Sequence, residues 1–293
     1  MFTFPNDSQR GRSATSITLE QAQALVVRHG GAMTEDALIV LEEISEPAPP
    51  LSSAMLADYA AASTEISRSR RDAGDVDAAA FMEELLQRML APPSASDEDE
   101  VARVIKLVDG AELRGNWSND EEVDCLIVNG DLTVDGTLSL NWPEESPGVI
   151  VLGSLRTRNF VCGGRIVVRD DVECEHVYAC SLNDGALTVG GSLTVRSFIE
   201  TGHYMEVKGD FDASFVATLH NEIDVGGEIR CAGFQSRSDR DRLPEWVDAA
   251  LLEHSQTEDD NGAAYSYWYP TEAYEQRIID GGSPVRSGLL TST

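Results

Sequence analysis

Between Val123 and Phe234 the chain writes one pattern six times: apolar-x-apolar-x-turn-x-apolar-x-small. The turn positions are Gly130, Gly153, Asp170, Gly191, Gly209 and Gly227, spaced by 23, 17, 21, 18 and 18 residues. A period in this range marks a solenoid, so the repeat outranks any local motif. Four residues before the turn stand Leu126, Val149, Ile166, Leu187, Met205 and Ile223, and two before it stands Val in every repeat, from Val128 to Val225. Two residues after it stand Leu132, Leu155, Val172, Leu193, Phe211 and Ile229, and four after it Val134, Thr157, Cys174, Val195, Ala213 and Cys231. A further column seven residues after the turn reads Thr137, Phe160, Val177, Phe198, Val216 and Phe234.

Columns that step by two on either side of a turn predict two short strands flanking a tight bend. One coil cannot bury its apolar row alone; stacking coils at a strand spacing of about 4.8 Å encloses a dry interior. Glycine at the bend is expected to supply positive φ, and the aspartates that follow it (Asp131, Asp171, Asp210) to bond their own backbone. The stretch from Val108 through Asp109-Gly110 to Leu113 reads as a looser first coil. The fold class that follows is mainly β, a single-stranded parallel, right-handed β-helix solenoid over residues 101–234. An α-helical module precedes it in residues 1–100 and an α/aromatic capping segment follows in residues 235–293.

The turns Val128 to Leu132 (VNGDL), Val189 to Leu193 (VGGSL) and Val207 to Phe211 (VKGDF) resemble the V-x-G-D-[LI] turns of bacterial β-helix proteins of the bactofilin type. The resemblance covers residues 123–234 and implies the architecture. As a function it implies a self-assembling scaffold. Bactofilins carry short tails, whereas long non-repeating segments flank the ladder here.

In the first segment Thr18 and Gln21 form a capping-box pattern for a helix that Gly30 and Gly31 end. Thr34 caps a second helix through about Ile44, and the prolines Pro47, Pro49 and Pro50 stop it. A third helix from Ser52 offers Met55, Leu56, Tyr59 and Ile66 for packing; a fourth from Asp75 offers Phe81, Met82, Leu85, Leu86 and Met89. The acidic stretch Ser94 to Glu100 reads as a linker. Such a module suits the open end of a β-helix, which otherwise presents unpaired strand edges. Beyond Phe234 a short helix is expected around Pro244 to Glu253, then an acidic loop, Glu258 to Gly262, then Tyr265, Tyr267, Trp268 and Tyr269. These aromatics suit a cover for the last coil. The alternative is an exposed cluster for a partner, since Tyr and Trp give large contact area at little entropy cost.

Composition narrows the partners. A net charge of −29 and a pI near 4.3 repel duplex DNA and anionic membranes and attract a basic protein. Neither a signal-peptide pattern nor an apolar run of about 20 residues is present, which points to the cytoplasm. The five cysteines, Cys125, Cys162, Cys174, Cys180 and Cys231, lack a disulfide or zinc spacing, and Cys174 and Cys231 read as small core residues. No cofactor or metal is expected.

Two enzyme patterns deserve weighing. Arg28-His29-Gly30 matches part of a histidine-phosphatase motif, but follows a helical pattern, where cationic side chains suit the last turn. Polysaccharide-cleaving β-helix enzymes use outward carboxylates, for which Asp131, Asp170, Asp171, Asp184 and Asp210 are the candidates. All but Asp184 sit at bends, where Asp is expected anyway. His176, His203 and His220 fall at different offsets from the bends and so form no column. The expected function is a non-enzymatic, cytoplasmic, monomeric protein-binding module, in concrete form a bacterial immunity protein that occludes a basic toxin domain. The contact residues expected are Glu258, Asp259, Asp260, Tyr267 and Trp268. A self-assembling scaffold and a polysaccharide-acting enzyme are the alternatives.

Overall fold

In the computed structural model the repeats stack as a parallel β-solenoid of about six turns. The structure describes residues 14–43, 104–118, 123–140, 148–181, 185–236, 242–258 and 264–286. The third and fourth helices expected from the sequence, and the acidic linker after them, lie outside these residues.

A short strand β1 (Thr15–Ile17) opens the described chain, followed by helices α1 (Leu19–His29) and α2 (Thr34–Glu43). Among the described residues seven rungs then stack, the six repeats and the looser first coil before them. The first is β2 (Ile105–Leu113) with β3 (Trp117–Ser118), and the second is the long strand β4 (Cys125–Leu140). The third is β5 (Gly148–Val151) with β6 (Leu155–Cys162); the fourth is β7 (Arg165–Val168), β8 (Val172–Glu173) and β9 (His176–Cys180). The fifth is β10 (Ala186–Val189) with β11 (Leu193–Thr201), and the sixth β12 (Tyr204–Val207) with β13 (Phe211–Thr218). The seventh is β14 (Ile223–Val225) with β15 (Ile229–Gln235).

Register follows the sequence columns. Leu126, Val149, Ile166, Leu187, Met205 and Ile223 pair in succession, as do Leu132, Leu155, Val172, Leu193, Phe211 and Ile229. Each rung, however, has three sides rather than two. A second corner follows the post-bend strand and reverses the alternation, so that Leu155 and Thr157 point inward before it and Phe160 and Cys162 after it. The seventh-residue column is the inward row of this third side. Thr137 does not belong to it: a register shift places Leu138 opposite Phe160 and sets Thr137 opposite Asn159.

The bends also differ from expectation. Of the five turn glycines only Gly130 has positive φ, at 119°. The other glycines are required by stacking. A Cβ on Gly153 would come within 2.4 Å of the Gly130 backbone, and one on Gly209 within 2.7 Å of the Gly191 carbonyl oxygen. No side chain fits between rungs spaced at strand distance.

Two sides of the solenoid are covered. Helix α1 begins with the expected capping box, Gln21 N–H to Thr18 Oγ1 at 3.2 Å and Thr18 N–H to Gln21 Oε1 at 2.9 Å. Thr34 is the first residue of α2 rather than its cap, and its hydroxyl donates to the Gly31 carbonyl at 2.8 Å. Together α1, α2 and the 3₁₀ turn Gly31–Met33 between them press Ala22, Val26, Met33, Ala37, Val40 and Leu41 onto the outward row of the first side, Cys125, Ile127, Ile150 and Val167. Strand β1 pairs antiparallel with β2 and closes the edge of the first rung.

The third side is covered by the C-terminal segment. There helix α3 (Leu243–Trp246) is followed by a 3₁₀ turn at Ala249–Leu251, strands β16 (Leu252–Glu258) and β17 (Ala264–Pro270), and α4 (Glu272–Ile279). The helix expected as far as Glu253 stops at Trp246, because Val247 is extended and Asp248 caps the 3₁₀ turn through Ala250 N–H. The segment runs along the side of the solenoid. Leu243, Val247, Leu251, Tyr274 and Ile278 bury Val161, Tyr178, Ile199, Phe215 and Ala217, which span four rungs.

Candidate functional site

The second side, between the two corners, is the one that neither covering segment buries. Its outward positions include Arg156, Arg158, Glu173, Thr194, Arg196 and Arg230, all exposed, with Thr133, Glu175 and Asp212 half-buried. The sheet therefore presents a ruled surface with side chains repeating at strand spacing. Its charges pair between rungs: Arg156 with Glu173 at 3.5 Å, Arg196 with Glu175 at 3.6 Å, and Arg230 with Asp212 at 2.6 Å and Asp210 at 2.8 Å. The Arg230 bonds hold the Asp212 carboxyl below the usual range. For Asp210 the backbone hydrogen bond from Glu228 contributes most, and Arg230 adds to it.

The bend aspartates border this side. Each uses one oxygen to grip the next rung: Asp131 Oδ1 accepts from Ser154 N–H at 2.8 Å, Asp171 Oδ1 from Ser192 N–H at 2.8 Å, and Asp210 Oδ1 from Glu228 N–H at 3.0 Å. The expectation that they bond their own backbone is corrected: a stacked rung brings the neighbour's amide closer than the local turn does. Asp170 is tied to Arg169, whose Nη1 also reaches the His29 carbonyl at 3.1 Å. That bond anchors the end of α1, so Arg28 and His29 lie in a last helical turn packed on a bend. Asp184 lies outside the described residues.

The histidines are scattered. His176 is buried on the third side, its Nδ1 2.7 Å from Ser197 Oγ, and burial pulls its pKa down to about 4. His203 is buried at the far corner against Gly185; desolvation likewise lowers it to about 4, opposed by a backbone contact to Ala186. His220 is exposed and lies 5.8 Å from the Tyr269 ring. Among the described residues no group of three or more His, Cys, Asp and Glu is placed to hold a metal ion. Of the thiols, Cys125, Cys162 and Cys174 are buried and pushed up in pKa by desolvation. Cys231 falls in its inward column, but on the last rung, where it is only half-buried.

Glu200 was invisible to sequence reasoning. It occupies the inward column of Leu140, Cys162 and Ala179 and is wholly buried. Its carboxylate accepts from the backbone N–H of Gly202, His203, Leu219, His220 and Asn221, between 2.5 and 3.1 Å, and from Asn221 Nδ2 at 3.2 Å. Five oriented amides replace water around one charge and tie the corners of two rungs together. The only advance signal is an acidic residue following Leu140, Cys162 and Ala179 in an inward column.

A similar polar row anchors α4, which the sequence reading did not foresee. Asn116 Nδ2 donates to Ile279 O at 2.6 Å, Thr137 Oγ1 to Ile278 O at 2.8 Å and Asn159 Nδ2 to Ile278 O at 3.0 Å. These satisfy carbonyls that a helix end leaves open. Thr271 before Glu272 and Glu275, with Tyr274 and Ile278 one turn apart, is the sequence pattern that marks this helix.

Three of the five expected contact residues, Glu258, Tyr267 and Trp268, fall on the β16–β17 hairpin. Glu258 ends β16, opposite Ala264, and Asp259 and Asp260 lie outside the described residues. Tyr267 and Trp268 are half-buried on β17; Trp268 packs 4.9 Å from His254 and, with Tyr269, against the apolar cluster under the C-terminal segment. Trp268 thus helps to hold the cover in place. No helix among the described residues is long and apolar enough to cross a membrane. No protein-family model matches the chain, and no curated protein or solved structure matches it either.

Proposed function

We propose that this chain is a protein-binding solenoid that receives a basic partner on its second side. A toxin domain neutralised by occlusion is the concrete case. The observation that carries this reading is the asymmetry of cover: two sides are buried by folded segments while the ruled, charged second side is left exposed. The net charge of −29 supplies long-range attraction for a cationic protein and speeds its association. The polar groups inside the solenoid and at its bends support the same reading, since His176, Glu200 and the bend aspartates are engaged in holding rungs together.

Capture of a cationic protein co-expressed with this chain tests the proposal. Binding is expected to fail at about 0.5 M salt, where screening lengths shrink to a few ångströms. It is also expected to weaken when Glu173 and Glu175 are both changed to Lys. Capture indifferent to both changes would overturn the reading. A second reading, the self-assembling scaffold of the bactofilin resemblance, is favoured by one observation: Ile229 and Phe234 of the last rung are each 48% exposed. Light scattering on the purified chain separates the two, because a monomer removes the scaffold.

A further inference from the structure

Two outward columns run along the uncovered second side. In the first, Thr133, Arg156, Glu173 and Thr194 pair in succession from the second rung to the fifth. In the second, Asp135, Arg158, Glu175 and Arg196 stand two residues further on in the same four rungs, so the sign of charge alternates from rung to rung. Backbone bonds hold this stack in line: Glu175 N–H donates to the Arg158 carbonyl at 2.7 Å and Arg196 N–H to the Glu175 carbonyl at 2.9 Å. Over these rungs the columns set Arg156, Arg158 and Arg196 against Asp135, Glu173 and Glu175, a balanced face on a chain of net charge −29. On such a face a second copy of an acidic chain meets little repulsion.

We propose that this face binds a second copy of the chain across a two-fold axis that runs along the strands, midway between the third and fourth rungs. Such an axis reverses the order of the rungs and sets each column against itself. Arg156 then meets Glu173 of the partner subunit, Arg158 meets the partner's Glu175, and Arg196 meets the partner's Asp135, each pairing occurring twice. Thr133 meets the partner's Thr194. Arg156 and Glu173 already lie 3.5 Å apart within one chain, so the axis closes a ring of four alternating charges. One rung further out Glu112 opposes the partner's Asp212, a like-charge contact, but Asp212 is held by its own Arg230 at 2.6 Å.

Neighbouring settings of the axis do less well. Through the third rung it sets Arg156 and Arg158 against their own copies, and through the fourth it does the same to Glu173 and Glu175. A whole rung back it opposes Glu112 and the partner's Glu173; a whole rung on it keeps two kinds of opposite-charge pair in place of three. The face measures about 13 Å across four residues of strand and about 29 Å along six rungs. That footprint places the dimer among weak, exchanging complexes. A closed pair then stands where the sequence suggested a monomer. The basic partner proposed above would compete for the same face; self-association is read with no other protein present, so either claim can fail alone.

Sedimentation velocity on the purified full chain, from about 10 μM to about 1 mM, is expected to show a monomer–dimer equilibrium that stops at two copies. Arg156→Glu with Arg158→Glu makes both columns acidic on the third and fourth rungs, and Glu173→Arg with Glu175→Arg makes them basic there. Each variant alone is expected to lose at least about tenfold in dimer affinity, and an equimolar mixture of the two to recover it as a heterodimer. Glu222→Arg with Asp224→Arg adds the same charge as the basic variant at exposed positions of the last rung. Mixed with the acidic variant it is expected to recover nothing, which separates matched faces from net charge. A chain that stays monomeric at about 1 mM, a mixture no better than either variant alone, or growth past two copies would each sink the proposal.

Discussion

Asp171 of one rung accepts a hydrogen bond at 2.8 Å from the backbone N–H of Ser192 in the next. The same relation joins Asp131 to Ser154 and Asp210 to Glu228, and Ser192 Oγ accepts from Asp210 N–H at 3.2 Å. Asp and Ser thus alternate along one edge, and the short side chains of Asp131, Asp171, Ser192 and Asp210 each satisfy an amide that the parallel ladder leaves open at the bend. A longer side chain at these positions would overshoot the neighbouring amide.

Asp171→Ala is therefore expected to cost about 1 kcal/mol, since it removes a charge-assisted bond near the surface. Urea denaturation would show it as a lower midpoint at unchanged slope. Asp224→Ala, at an exposed position of the last rung, serves as the control and is expected to change the midpoint by less than about 0.5 kcal/mol. Equal effects would mean that charge alone, rather than the bond to Ser192, matters at Asp171.

Gly209→Ala is expected to cost more than Gly115→Ala, although only Gly115 has a left-handed backbone. The added methyl at 209 meets the Gly191 carbonyl oxygen at 2.7 Å and Ser192 Oγ at 2.8 Å, so the rungs must part. Overpacking of this kind costs about 2 to 3 kcal/mol. At Gly115 φ is +77° with nothing within 4 Å, which leaves about 1 kcal/mol of backbone strain. Paired thermal melts decide the order.

The inward columns were legible because stacking like on like forces the same residue type to recur at fixed offsets, as in Val128 to Val225. The third side was harder to read, since its corner reverses the alternation between Thr157 and Phe160 and its outward row is buried. Thr137, Asn159, His176, Ser197, Phe215 and Gly233 share one register, yet their types follow whatever covers them: α4 carbonyls for the first two, Trp246 for the last two. The exposed second side leaves no apolar periodicity of its own. Its exposure stands out only against the cover on the other two sides. Trp268 shows the opposite limit, for an aromatic cluster reads the same in sequence whether it faces a partner or its own chain.

Glu200→Gln is expected to destabilise the solenoid by about 3 kcal/mol. The amide keeps the shape, but turns an NH₂ toward backbone donors that had shared a carboxylate, and those of Gly202, His203 and Leu219 are buried. Hydrogen exchange localises the effect: the amides of Leu219, His220 and Asn221 are expected to lose protection first. Uniform loss across all rungs would show that Glu200 acts on global stability without holding this corner.

Acid is expected to weaken the fold well above the range where carboxylates titrate. His176 and His203 have folded pKa values of about 4, lowered by burial, against about 6.5 in an unfolded chain. Between pH 6.5 and 4 the unfolded state therefore binds more protons than the folded one, so stability falls as pH falls through this window and is unaffected above it. Each histidine contributes up to about 1.4 kcal/mol per pH unit there. A chain this acidic gains some relief from self-repulsion on further acidification, so the interval from pH 6.5 to 5 isolates the histidine effect. His176→Asn is expected to reduce the slope of stability against pH in that interval by about half, the amide keeping a partner for Ser197. An unchanged slope would show that the His176 ring is not held neutral by the fold.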